Sequence, residues 1–236
     1  MGSTGAERIA FFGGSFDPPH YGHLAVARAA RQALHLDRVL FAPVGAQPLK
    51  PHGAVAPFAD RAEMTRLAIE SEPGFELSLL DAPQESGTPN FTLDTLRLLR
   101  GHEPGARLFL ILGADAFALL RNWHGAAEIP YLASLIVASR PGQEIGNLSR
   151  FLPRSITSAP AGSEPGSPLD RRAYTLRNPA GETAEFYLLP GLDVPISATE
   201  IRSHGCAAGS DAVPAAVAAY IRRHKLYQQV PRTALD

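Results

Sequence analysis

His20 and His23 stand three residues apart, close behind the glycine pair Gly13-Gly14, in the run Phe12-Gly13-Gly14-Ser15-Phe16-Asp17-Pro18-Pro19-His20-Tyr21-Gly22-His23-Leu24. On a helix that spacing turns both imidazoles to one face. Glycines let a backbone approach a ligand without a Cβ in the way, and a helix N-terminus offers N–H groups carrying partial positive charge. Strand, glycine turn and a helix mouth with paired imidazoles therefore suit a phosphate. The run lacks both the Gly-Lys-Ser/Thr ending of a P-loop and the GxGxxG dinucleotide fingerprint, so two imidazoles stand where a lysine would. Plainer readings compete: a tight strand-to-helix connection, half of a zinc site, and an Asx turn at Asp17. Zinc is the weakest of these, because Cys206 is the only cysteine and no nearby cluster completes a tetrahedral set.

The surrounding elements must hold that run in place. Arg8 to Phe12 is a short apolar stretch, as expected of a strand buried on both faces. Residues 22–35 predict a helix with Leu24, Ala27 and Leu34 inward and Arg28, Arg31 and Gln32 outward, and Val39 to Pro43 predicts a second, parallel strand. The Pro-rich loop from Val44 to Pro57 leaves a strand's carboxyl end, where α/β ligands sit, so Lys50 and His52 could reach over the site. A solvated surface lysine is the alternative. Phe58 to Glu70 predicts a helix with Ala59, Ala62, Leu67 and Ile69 as its apolar face; a strand at 75–80 and a helix at 91–99 follow. Leu108 to Leu112 predicts a strand that stops at Gly113-Ala114-Asp115, which repeats the opening logic and turns Asp115 toward the same crevice. The next helix runs toward the lone tryptophan in Arg121-Asn122-Trp123-His124, which serves either as core or as a stacking platform for an aromatic ligand.

Leu135 to Ser139 predicts another strand, closed by Arg140-Pro141-Gly142. Residues 143–170, rich in Pro, Ser and Gly, predict a long irregular excursion. Residues 173–177 and 183–189 predict a hairpin or an insertion leading into a last strand. In Pro195 to Arg202, Ser197 or Thr199 can cap a helix and Arg202 then projects one turn in, a second anion site in sequence terms. Pro214 starts a final helix with Val217, Tyr220 and Ile221 on one face, while Arg222, Arg223 and Lys225 complement its dipole as a solvated end.

The expected fold is α/β: a Rossmann-like doubly wound parallel sheet with flanking helices and a C-terminal helical tail. We expect a single domain over residues 1–236, with an insertion at about 143–182 and a helical segment at about 195–228. A net charge of −1 asks for neither nucleic acid nor an anionic membrane. The apolar runs are far shorter than the roughly 20 residues of a membrane span, and no secretory signal is read at the N-terminus. With a single cysteine, a cytoplasmic protein is the expectation, as monomer or homo-oligomer.

Five motifs in order carry a family resemblance: Gly13 to His23, Phe91-Thr92-Leu93-Asp94-Thr95-Leu96, Gly113-Ala114-Asp115, Val137 to Gly142, and Ile196-Ser197-Ala198-Thr199-Glu200-Ile201-Arg202. Together they resemble the bacterial nicotinate-nucleotide adenylyltransferases of the nucleotidylyltransferase superfamily. The resemblance implies synthesis of deamido-NAD and pyrophosphate from ATP and nicotinate mononucleotide, by in-line attack without a covalent enzyme intermediate. Magnesium is implied, carried mainly on substrate phosphates and water. It also implies roles. His20, His23 and Arg202 would be catalytic, holding phosphate oxygens. The backbone of Gly13, Gly14, Ser15 and Phe16, with Lys50, Gly113, Asp115, Arg140, Ser197 and Ile201, would bind ATP. Asp17, Thr92, Trp123 and His124 would face the mononucleotide. Two anions meet and a third departs in such a transfer, so fixed positive charge and donors are what the chemistry needs.

The chain departs from the family pattern at Gln47-Pro48-Leu49-Lys50, at Asn90-Phe91 and at Ser197-Ala198-Thr199, which bear on the pyridine pocket and loop more than on the phosphate site. Competing readings are another transferase of the superfamily, such as a phosphopantetheine adenylyltransferase, a cytidylyltransferase or one accepting both pyridine mononucleotides, and a non-catalytic nucleotide-binding protein.

Overall fold

A computed structural model describes residues 5–48, 53–139, 145, 147–161, 171–192, 196–208 and 211–228. The apolar runs become the strands of one sheet: β1 (Arg8–Gly14), β2 (Arg38–Pro43), β3 (Phe75–Leu77), β4 (Arg107–Gly113), β5 (Ser134–Ala138), β6 (Thr157–Pro160), β7 (Arg172–Arg177) and β8 (Thr183–Leu189). Their order across the sheet is β3-β2-β1-β4-β5-β8-β7-β6. Strands β3 to β8 in that order are mutually parallel, in register such that Phe12 lies beside Phe41 and Phe11 beside Leu110. The last two, β7 and β6, are antiparallel additions at one edge.

Helices cover both faces. On one lie α1 (Tyr21–Leu34), α2 (Phe58–Ile69), α6 (Ala198–Ala208) and α7 (Ala215–Arg223), packed through Leu24, Met64, Ile201, Val217 and Ile221 on Phe12, Phe41, Phe109 and Ile111. On the other lie α3 (Thr92–His102), α4 (Ala114–Ala118) and α5 (Ile129–Leu132), packed through Leu93, Leu96, Phe117 and Ile129 on Phe11, Leu40, Leu110 and Val137. Adjacent strand residues thus feed opposite cores, which is why these strands read as unbroken apolar runs. Each large side chain buried this way contributes about 1.5–3 kcal/mol relative to exposure.

Several expectations need correction. The excursion over 143–170 is not wholly irregular: residues 157–160 form β6, which adds to the sheet beside β7, itself the first strand of the expected hairpin with β8. As an edge strand with three exposed residues and one half-buried, β6 is held by backbone pairing with β7 and leaves no apolar alternation to read. The buried face of α2 is Arg61, Met64, Thr65, Ala68 and Ile69, offset from the expected face, of which Ile69 alone is buried. Arg61 falls on the inward period and is satisfied internally, which hid the pattern. The helix expected to run to Trp123 stops at Ala118 and resumes as a 3-10 turn over Leu120–Asn122. Pro214 is the N-cap residue of α7 and Ala215 its first helical one.

Candidate active site

From β1 the chain winds outward through β2 to β3, then returns through α3 to β4 on the other side of β1. The reversal opens a crevice above the carboxyl ends of β1 and β4, the position where open α/β sheets bind ligands. A cavity of about 610 Å³ occupies it, floored by Gly13, Gly14, Leu112 and Gly113 and walled by Ser15, Gln47, Asn90, Thr92, Trp123 and His124. A Cβ on Gly14 would come within 3.2 Å of the buried Phe16 ring, so this floor has no room for a side chain on that side. At the wall, α3 opens with Thr92, bringing the partial positive charge of a helix N-terminus to the cavity. Trp123 does both of the things open to it: it packs against the second core and lines the cavity. Beside it, the Phe91 and His124 rings lie 4.7 Å apart between centroids.

His20 is the N-cap of α1 and is 7% exposed; His23 is the third residue of its first turn. The His20 backbone N–H donates to His23 Nδ1 at 3.2 Å, and the two imidazole centroids are 3.8 Å apart. Because Nδ1 accepts, the proton of a neutral His23 ring resides on Nε2. Phe16, with φ 45, turns its ring down under His23 at 4.9 Å, leaving its backbone as the part that can meet a ligand. Phe12 joins cavity and imidazoles: it lines the former and lies 6.1 Å from His23.

Arg202 arrives from α6, at the other end of the chain. Its Nη1 donates to the Asp17 carbonyl oxygen at 2.5 Å, and its Nη2 donates to Thr199 Oγ1 at 3.2 Å. The guanidinium is therefore fixed three residues before His20. Asp17 itself is 4% exposed, and its carboxylate accepts from the Val55 and Ala56 N–H groups and from the Tyr227 hydroxyl at 2.7 Å. Below it, buried Arg61 donates to the carbonyls of Ser15, Val44 and Ala56. Burial pulls the Arg61 pKa down, and the Asp17 charge acts against that. Burial, then the Asp17 bond, pushes the Tyr227 phenol far above its ordinary range, so it stays a donor.

The expected site residues thus fall into separate places. Gly13, Gly14, Ser15, Gly113, Thr92, Trp123 and His124 line the cavity. His20, His23 and Arg202 gather beside it around the Asp17-to-His20 segment. Asp17, expected against the mononucleotide, has its carboxylate engaged inside the protein. Ile201, expected at ATP, is buried in the core and donates its N–H to the Ser197 carbonyl, which makes Ser197 the residue that opens α6. Asp115 is exposed on the first turn of α4, outside the cavity lining. Lys50, His52 and Arg140 lie outside the described residues.

Sequence reading passed over Arg61, Tyr227 and Asp81, and marked Asn90 only as a departure from the family pattern. Arg61 could have been found as a cation at an inward helical position, one and two turns before Met64 and Ala68. Asn90 accepts from the Ala46 N–H and donates to the Ala82 carbonyl, tying the cavity's loops together. No local signal marks Tyr227 or Asp81, whose partners are distant in sequence.

Known proteins resemble this chain in sequence and in fold. The cytidylyltransferase-like family profile matches residues 11–204. A relative from Pelobacter propionicus, named for nicotinate-nucleotide adenylyltransferase, is 35% identical over 95% of this chain and all of its own length. One of the same name from Roseiflexus sp. (strain RS-1) is 39% identical over 93% of this chain and 98% of its own. In fold, the chain is similar to the Plasmodium falciparum nicotinic acid mononucleotide adenylyltransferase complexed with NaAD, with a TM-score of 0.66 over 94% of this chain and 97% of that one, at 16% identity.

Proposed function

Starting from its membership of the nicotinate-nucleotide adenylyltransferase family, to which the chain belongs, we propose that it transfers the adenylyl group of ATP to nicotinate mononucleotide, releasing pyrophosphate and forming deamido-NAD. The observation that carries this reading is the meeting of His20, His23 and Arg202, brought from opposite ends of the chain, beside an aromatic-walled cavity. The mononucleotide's 5′-phosphate attacks the α-phosphorus in line as the bond to pyrophosphate breaks. His23 Nε2–H and the His20 imidazole donate to α-phosphate oxygens as charge builds on them; Arg202, with the first turn of α6 from Ser197, holds the departing β- and γ-phosphates. Backbone of Gly13 to Phe16 supports the phosphates, and Gly113 with the start of α4 borders the adenosine. Trp123 stacks on the pyridine ring, and the N-terminus of α3 at Thr92 attracts its carboxylate. Asp17 contributes by holding Arg202, not by touching the mononucleotide. By the family resemblance, Lys50 and Arg140 are also assigned to ATP, as sources of positive charge for the triphosphate.

Among the described residues no group of three or more His, Cys, Asp or Glu side chains could hold a metal ion. The donors gathered here fit phosphate oxygens, so a magnesium ion would be held by the triphosphate and water, supplying neutralising charge there when bound. Among the same residues no helix is long and apolar enough to cross a membrane. We place the enzyme in the cytoplasm, as one domain over residues 1–236.

An acceptor panel with ATP tests this reading through pyrophosphate release. Nicotinate mononucleotide should exceed nicotinamide mononucleotide by at least about tenfold in kcat/KM, because donors arranged for a carboxylate serve an amide poorly. Turnover confined to phosphopantetheine, or none with any acceptor, overturns it.

A further inference from the structure

We propose that Tyr227, twenty-five residues beyond Arg202 in sequence, is a positioning residue for ATP: its bond to Asp17 keeps the Arg202 guanidinium directed at the triphosphate. This rests on the role of Arg202 proposed above.

Asp17 is a buried carboxylate, and its charge is divided among three donors, the Val55 and Ala56 amides and the Tyr227 phenol. Arg202 bonds to the carbonyl of the same residue, with Nη1 4.0 Å from Asp17 Oδ2. Backbone and carboxylate of one residue thus bid for a single guanidinium. While the phenol donates to Oδ1, the carboxylate is satisfied and Arg202 stays on the carbonyl, its remaining N–H groups available to an anion. Without the phenol, an under-bonded buried carboxylate draws the nearest cation to itself, because leaving a buried charge short of a partner is the costlier state. Among the described residues the other nearby cation is Arg61, which already donates to the carbonyls of Ser15, Val44 and Ala56. Arg202 is the cation left to be diverted, and ATP loses it.

Tyr227 itself is held by its own segment. Leu226 donates its N–H to the Ile221 carbonyl just past α7, and Tyr227 takes φ 59, which turns the ring back toward the first strand's end. A second phenol, Tyr220 on α7 itself, donates to Asp60 on α2 at 2.8 Å. It docks the same segment without touching Asp17 and so provides a matched control.

The test uses the full chain, with steady-state kinetics in both substrates. Tyr227→Phe keeps the ring and its packing and should raise KM for ATP about tenfold, the scale of one hydrogen bond to a charged group, with KM for nicotinate mononucleotide within about twofold. Placed on Arg202→Ala, it should change KM for ATP by less than about twofold, since the residue it works through is gone. Tyr220→Phe should leave KM for ATP unchanged. An unaltered KM for ATP in Tyr227→Phe, an equal rise for both substrates, the full tenfold persisting on Arg202→Ala, or the same effect from Tyr220→Phe each overturns the proposal. ATP titration by calorimetry at low temperature reads the same differences if Tyr227→Phe melts near the assay temperature. Failure of the underlying reading shows separately, as a wild-type protein inactive on nicotinate mononucleotide.

Discussion

With Nδ1 occupied by the His20 amide, a neutral His23 ring carries its proton on Nε2, the donor that the proposed mechanism uses. Its ring is wedged between His20 and Phe16, so the donor is aimed before substrate arrives. Preorganised donors of this kind act chiefly on the transition state. We therefore expect His23→Ala to lower kcat by about 10²–10³-fold, with a smaller change in ATP affinity by direct titration. Near-normal turnover would remove His23 from the mechanism. The imidazoles were legible in sequence because their type and spacing are tied to local helix geometry. Asp17 was not, since its carboxylate is defined by Val55, Ala56 and Tyr227, between 38 and 210 positions away.

Among elements, the loop after β2 and the turn before α3 form one wall of the cavity by packing backbone on backbone. The Gly45 N–H donates to the Asp81 carbonyl and the Asn90 N–H to the Ala46 carbonyl, while the Asn90 side chain accepts from the Ala46 N–H and donates to the Ala82 carbonyl. A Cβ on Gly45 would lie 2.4 Å from Pro83 N, a backbone atom that cannot swing aside, and 2.8 Å from Asn90 Oδ1, which is tethered by the Ala46 N–H. Gly45→Ala should thus lower stability by about 1–3 kcal/mol in urea melts, and raise KM for the mononucleotide more than KM for ATP. Equal KM values to wild type would mean that this wall moves without disturbing the pocket. Elements with two buried faces, such as β1, β4 and β5, announced themselves as apolar runs. Edge strand β6 and the α2 face did not, the first because backbone pairing holds it, the second because a buried arginine breaks the pattern.

At the scale of the whole molecule, Asp81 bonds the loop after β2, its own turn and α3 into one body. Thr95 Oγ1 donates to its carboxylate at 2.6 Å, and the residue is buried in the cavity wall. Burial pushes the Asp81 carboxyl pKa up, with the Thr95 bond acting against it. The folded pKa then lies above the unfolded one, so the folded chain keeps its proton over a range where the unfolded chain has released it. Stability falls as pH climbs through that range, and above it the full penalty for an ionised, buried Asp81 remains. Below the ordinary carboxylate range, about 3.9, both states are protonated and the penalty vanishes. Asp81→Asn removes the titration while its amide oxygen can still accept from Thr95. Relative to wild type, the melting temperature of Asp81→Asn should therefore improve as pH rises from about 3.9 toward neutrality, levelling off once the folded Asp81 has ionised, whatever the offset between the two proteins at the acid end. A difference that stays flat across that interval, or shrinks toward neutrality, would mean that the folded protein does not resist the Asp81 charge.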